Sequence, residues 1–265
     1  MKTIFWKDLK LTRKGLIIWI AVVLLTAGMG IAEYPMMSQN FDSIMPALEM
    51  MPKVVRIMFG VEGLTFKQPF DYYITMYFWY CIIIFTHAAY VGASIIAKEE
   101  RDKTSEFLFS KPYKRKEVIT AKILVGVFHI LAMAFTAWIF NIIFLLPLLE
   151  GESILVSVSV TMVGMFFTQL VFLGIGLLCT SIFKKYKIGL STSMMIVLVS
   201  FIIAVILEYF GNIDYLNFLS PFRYFMVREV IAEGINFVYV LIAAAVTAVS
   251  VYLTYYIYNK KDLHS

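Results

Sequence analysis

Charge is scarce in this 265-residue chain: Asp, Glu, Lys and Arg make up 15% of it, against 61% hydrophobic residues and a mean hydropathy of +0.82. A soluble domain carries about 25% charged residues, so this balance excludes a water-soluble enzyme. Cysteine is almost missing, and Cys81 and Cys179 both fall in apolar stretches, where they read as small core residues rather than a disulfide. Seven Pro and 14 Gly are too few for a collagenous or low-complexity chain, and the many Phe, Tyr, Ile and Val residues exclude disorder. No GxxxxGK[ST] loop occurs, so the chain lacks a backbone cradle for nucleotide phosphates. HExxH and GxSxG are absent as well, and His87, His129 and His264 are scattered, which leaves no visible hydrolytic or metal-binding constellation.

What the chain has is apolar length. A bilayer core about 30 Å thick needs about 20 apolar residues in a helix. Six stretches of that order are free of Asp, Glu, Lys and Arg: residues 16–32, 72–97, 123–149, 154–183, 188–207 and 237–258. The expected fold is therefore an all-α polytopic membrane protein forming a single transmembrane domain over residues 1–265. The first stretch reads as a retained span rather than a cleaved signal, because its apolar run is long and no clean small-x-small site follows.

Basic residues stay on the cytoplasmic side during insertion. With both termini inside, 18 of the 23 Lys and Arg fall on the inner side and five on the outer, which also holds 11 of the 18 acids. Residues 2–14 alternate Ile4, Phe5, Trp6, Leu9 and Leu11 with basic residues. They suit a short helix lying in the headgroup plane, the alternative being a solvated basic tail.

The densest charge cluster lies between the second and third spans, at residues 98–117. Asp102 or Thr104 can cap a short helix there, Glu106 suits its first turn, and Pro112 ends it. Phe107, Leu108 and Phe109 cannot all face a membrane surface from two turns, so at least one seeks a partner. That is the pattern of a short amphipathic helix entering a groove of another protein. A solvated positive-inside loop is the plainer reading.

Glu99-Glu100, Thr104-x-Glu106-x-Leu108, Ser110-x-Pro112, Arg115 and Lys122 resemble the cytoplasmic stretch of bacterial type-2 ABC transporter permeases. Lys103 departs from the Gly often found there, and Lys114 from a helix-capping Ser. The resemblance extends to an N-terminal interfacial helix at residues 1–15, six spans with both ends inside, and outer re-entrant helices before the last span. It implies the type V exporter fold and a permease subunit of an ATP-driven exporter in the bacterial plasma membrane. It also implies a coupling helix within residues 98–117 that docks on a separate ATPase subunit, through Glu99, Glu100, Thr104, Glu106, Phe107, Leu108, Phe109, Pro112 and Arg115. ATP and Mg would then reside on that partner, with no cofactor in this chain. A second permease copy, as homodimer or heterodimer, would complete the translocation path, and no nucleic acid is expected.

On the same resemblance the second and fifth spans wall the path, where Tyr77, Tyr80, Phe85, Thr192, Ser193 and Ser200 mix aromatic and hydroxyl groups. Lipid or core contacts explain these six equally well. Arg223, Arg228 and Glu229, with Glu233, are candidates for an outer gate, ordinary charge pairing being the alternative. Residues 33–71 carry six of the 15 methionines and read as short amphipathic helices on the outer leaflet. Secondary transporters place ionisable groups at mid-membrane, and here only His87 and His129 stand near that depth; with Asn141 and Gln169 they read first as interhelical contacts. Two other classes stay open: a membrane receptor or immunity protein that binds a toxin or peptide without transport, and an intramembrane enzyme.

Overall fold

A computed structural model describes residues 1–64, 69–98, 114–146, 154–183 and 185–260. Among them are nine α-helices and no strand: α1 (Lys2–Gln39), α2 (Phe41–Glu49), α3 (Lys53–Met58), α4 (Pro69–Ile96), α5 (Arg115–Leu145), α6 (Ile154–Ile182), α7 (Tyr186–Phe210), α8 (Val227–Glu233) and α9 (Phe237–Lys260). Two short 3₁₀ turns, Asp214–Leu219 and Pro221–Arg223, link α7 to α8. Helices α1, α4, α5, α6, α7 and α9 are each long and apolar enough to cross a bilayer. They alternate in direction, so the two termini share one end of the bundle, called here the terminal end, and α2, α3 and α8 lie at the far end.

The first helix differs from the sequence expectation. Residues 2–14 do not form a separate surface helix followed by a turn; α1 runs unbroken from Lys2 to Gln39. Nothing between them stops a helix, and Gly15 faces open space. At 1.5 Å per residue α1 is about 57 Å long, so it overshoots a core of about 30 Å. The Met-rich segment does fold into two short helices, with Pro52 as the N-cap of α3; Pro46 is accommodated inside α2.

Helices α4 and α6 form the centre. Helix α4 packs on α1, α5, α6 and α7, and α6 packs on α4, α5, α7 and α9. Their mutual contact is the most extensive among the described residues, and its cause is glycine. A Cβ at Gly92 would stand 2.2 Å from the Leu173 carbonyl oxygen, and one at Gly176 would stand 2.3 Å from that of Ala89. The two backbones touch at these points, the close approach that small residues permit between spanning helices. Around the contact, Tyr73 and Thr161 share a hydroxyl–hydroxyl bond of 2.6 Å, Tyr77 donates to the Thr161 carbonyl at 3.1 Å, and Ser193 of α7 donates to the Ala89 carbonyl at 3.4 Å. Lipid offers no hydrogen-bond partners, so these groups bond one another.

The remaining spans expose apolar side chains outward. Ile17 and Leu25 on α1, Leu131 and Phe135 on α5, Met195 on α7 and Leu241 on α9 are all exposed. Such faces are incompatible with water at this extent and suited to acyl chains.

Gly92→Val or Gly176→Val must part α4 from α6, and we expect either to lower stability by about 3 kcal/mol, the upper range for overpacking. Gly28→Val, at a position facing open space on α1, should cost about 1 kcal/mol or less. Unfolding midpoints of the purified variants in detergent check the contrast.

Candidate functional site

Each end of the bundle carries a charged cluster. At the terminal end, Asp8 of α1 is 1% exposed, although it stands in a strongly basic stretch. Its Oδ1 accepts a 3.1 Å hydrogen bond from Lys98 Nζ, and its Oδ2 lies 4.0 Å from Lys122 Nζ. Lys122 is fully buried in α5 and donates to the Ile95 carbonyl at 2.7 Å. That carbonyl belongs to the last turn of α4, which has no helical partner for it. The Lys122 ammonium thus meets the negative end of the α4 dipole, and Asp8 neutralises charge that burial of Lys98 and Lys122 would otherwise penalise.

Across the same end, Arg115 at the start of α5 donates to the carbonyls of Asn259 at 3.1 Å and Tyr258 at 3.5 Å, at the C-terminal end of α9. Lys114 is the N-cap of α5. A lysine side chain cannot accept a bond from the helix N-terminus, so the capping Ser is missed; Glu117 compensates by accepting the Lys114 N–H at 3.4 Å. Lys98 and Arg115 therefore anchor the two flanks of residues 99–113. Glu99, Glu100, Thr104, Glu106, Phe107, Leu108, Phe109 and Pro112 lie outside the described residues.

A polar lane continues inward from Asp8. Thr12, one turn further along α1, shares a 2.9 Å bond with His129 Nε2. The His129 ring stacks on His87 of α4 with centroids 6.0 Å apart and planes 13° from parallel, and Trp19 closes the group at 5.4 Å from His87. The two histidines stand 42 positions apart in sequence, and the antiparallel packing of α4 on α5 brings them together.

The far-end cluster centres on Arg223, which is buried. Its Nη1 pairs with Glu208 of α7, its Nε donates to Asn217 Oδ1 at 3.2 Å, and its Nη2 faces Asp214 at 3.9 Å and Glu229 at 4.0 Å. Partial burial raises the Glu229 carboxyl above its ordinary value, and the neighbouring Arg223 pulls it down. Arg228 points to a different partner, donating to the Glu62 carbonyl at 2.7 Å and tying α8 to the loop after α3. The expected gate residues are thus split between an ionic hub, formed by Arg223 with Glu229, and a strap, formed by Arg228.

Beside the hub lies a half-open cavity of about 110 Å³ between α4, α7, α8 and the Pro221–Arg223 turn. Pro221 starts that turn and sends Phe222 into the bundle, where its ring meets Phe85 at 5.1 Å, Phe172 at 5.5 Å and Phe201 at 5.7 Å. Of the residues expected along a path, Tyr77, Tyr80, Phe85, Ser193 and Ser200 are buried within this subunit and Thr192 is half-buried. Ser200 accepts through its carbonyl from Ser220 Oγ at 2.7 Å, and Phe85 stacks on Phe172 at 5.4 Å. Tyr77 also borders the cavity.

Six spans of alternating direction, with apolar outer faces and charge gathered at the two ends, define a multi-pass membrane protein. The chain belongs to the ABC-2 family transporter proteins, whose family model matches residues 2–263. Membership makes it the membrane component of a transporter and implies association with an ABC ATPase and a lipid bilayer. No curated protein matches the chain.

Asp8→Asn leaves Lys98 and Lys122 buried without their carboxylate, and breaking a buried pair costs about 3 to 5 kcal/mol. We expect a loss near the lower figure. A double-mutant cycle with Lys98→Met, read by thermal unfolding in detergent, should return a coupling energy above about 1 kcal/mol.

Proposed function

We propose that this chain is the permease subunit of an ATP-driven exporter, with two permease copies working beside two separate ATPase subunits in a bacterial plasma membrane. On this reading both termini face the cytoplasm, as the 18-to-five division of basic residues favours, and export follows the resemblance of residues 99–122 to exporter permeases. ATP and Mg belong to the partner, since this sequence has no phosphate cradle. The path runs between the two copies, with Tyr77, Tyr80, Phe85, Thr192, Ser193 and Ser200 on the walls that rearrange, and Arg223, Arg228 and Glu229 closing its outer side.

The observation that carries the proposal is the anchoring of both flanks of residues 99–113. Lys98 is tied to α1 through Asp8, and Arg115 is tied to α9. Force applied to the segment is then delivered to α1, α4, α5 and α9 together, which suits rigid-body rocking between inward- and outward-open states. Glu99, Glu100, Thr104, Glu106 and Pro112 would set the register of the docked helix, and Phe107, Leu108 and Phe109 would fill the partner's groove.

In the assembled complex in liposomes, Glu106→Lys or Phe107→Ala should lower the transport-coupled ATPase rate by about tenfold, the effect of losing one good interface anchor. Membrane insertion and unfolding temperature of the permease should stay unchanged. Wild-type coupling in both variants and in Glu100→Lys would overturn the assignment.

A further inference from the structure

The far-end cavity has the build of a ligand site that belongs to one subunit alone. Its floor is apolar and aromatic, made by Phe78 and Cys81 of α4, Phe201 and Val205 of α7, and Phe222. Its rim is charged and includes Glu62, Glu208, Arg223 and Arg228. The rim charges are not equivalent. Glu62 is bonded to Arg56 at 2.6 Å, and Glu208 is paired with Arg223. Arg228 is exposed, donates to the Glu62 backbone carbonyl, and has no carboxylate within 4.0 Å among the described residues. The rim therefore offers one cation whose charge is not matched, directly above an apolar floor.

Size and position narrow the ligand further. An apolar cavity of about 150 Å³ accepts a benzene ring, so about 110 Å³ suits a short alkyl end or a small ring. Phe78 and Cys81 stand between two and four turns into α4, and Phe201 and Val205 between one and three turns before the end of α7, so the floor lies in the hydrocarbon and the charged rim faces the headgroup end of two spans. A guanidinium recognises phosphate by paired N–H donors.

We propose that this cavity binds an anionic amphiphile, placing its apolar end between Phe78, Phe201 and Phe222 and its phosphate or comparable anionic group on Arg228. The site lies within one subunit and shares Tyr77, Arg223 and Arg228 with the proposed path wall and outer gate; its binding readout needs no ATPase, so labelling can fail while transport coupling stands, and the reverse. The ligand chemistry is shared by two sources, a phospholipid of the leaflet and a free amphiphile arriving from outside.

The test uses the full chain in phosphatidylcholine nanodiscs and hexyl phosphate carrying a terminal diazirine, with the matching hexyl maltoside as the neutral probe. Irradiation followed by peptide mass spectrometry should place saturable crosslinks on Phe78, Cys81 or Phe201. Arg228→Gln should raise the half-saturating concentration of the phosphate probe about tenfold and leave the maltoside unchanged. Ala204→Trp, which narrows the cavity without altering the rim charges, should abolish the same crosslinks. Phosphatidylglycerol added to the nanodisc identifies the source: competition points to leaflet lipid, and undiminished labelling points to a free amphiphile. Crosslinks confined to lipid-facing residues such as Leu131 and Leu241, or equal labelling by the two probes in the unmodified chain, would overturn the proposal.

Discussion

The contact on which the bundle depends is the meeting of two backbones, α4 at Ala89 and Gly92 with α6 at Leu173 and Gly176. Between helices in lipid there is no hydrophobic drive, because acyl chains are as apolar as leucine; association comes from close packing and interhelical hydrogen bonds. The glycines remove the side chains that would hold the axes apart, and the approach brings Tyr73 and Tyr77 within reach of Thr161. Every other span then packs on one or both of these two helices. The order of burial follows: α4 and α6 lie inside, while α1, α7 and α9 keep most of their surface for lipid.

Charge follows the opposite logic and is driven to the two ends. At the terminal end it is consolidated into contacts that cannot be given up cheaply. Asp8, Lys98 and Lys122 are buried, and Lys122 also holds the Ile95 carbonyl in the last turn of α4. At the far end the charges are more exposed and more numerous than their partners require. Arg223 faces three carboxylates, two of them at about 4 Å, and among the described residues the Arg228 charge meets only a backbone carbonyl. A tightly paired end suits transmission of force, and a loosely paired end suits rearrangement and ligand entry.

The six spans were legible in the sequence because hydropathy over about 20 residues is a local property that tertiary structure cannot override in a bilayer. The short helices of residues 33–71 were legible for the same reason, through apolar spacing and the position of Pro52. What was not legible was every feature made by contact at a distance. Asp8 sits among five basic residues and reads as part of a surface helix; only its partners, 90 and 114 positions away, explain why it is buried and why α1 has no turn after it. Gly92 and Gly176 carry no local signal either, since a glycine in an apolar run looks the same whether it faces lipid, as Gly28 does, or another backbone. His87 and His129 stand 42 positions apart in sequence, and their stacking follows only from the register of α4 on α5. Small residues four apart, as in Ala88–Gly92 and Gly176–Thr180, were the one available hint of where the spans touch.

Helix α4 joins the two ends. Ile74, Phe78 and Cys81 border the far-end cavity, while Ile95 and Lys98 belong to the terminal cluster, and the 17 residues from Cys81 to Lys98 span about 25 Å of nearly continuous helix. Sliding α4 past α6 would drive Gly92 out of its seat on Leu173, because a shift of one residue replaces the missing Cβ with a present one. A displacement at Lys98 is thereby resisted along the axis of α4 and is passed to the α4–α6 pair as a unit. The movable interfaces are then those that lack such backbone contact, above all α7 against α4, where Ser193 bonds Ala89 at 3.4 Å and Phe201 meets Phe78 at 5.8 Å. Phe78 and Phe201 line the cavity, and Glu208, the closest partner of Arg223, rides on the same helix. Gly189 seats the start of α7 on the α6 backbone at Thr180, so motion of the far half of α7 against α4 changes the width of the cavity and the pairing of the hub together, which couples the ionic rim to the apolar floor through one helix.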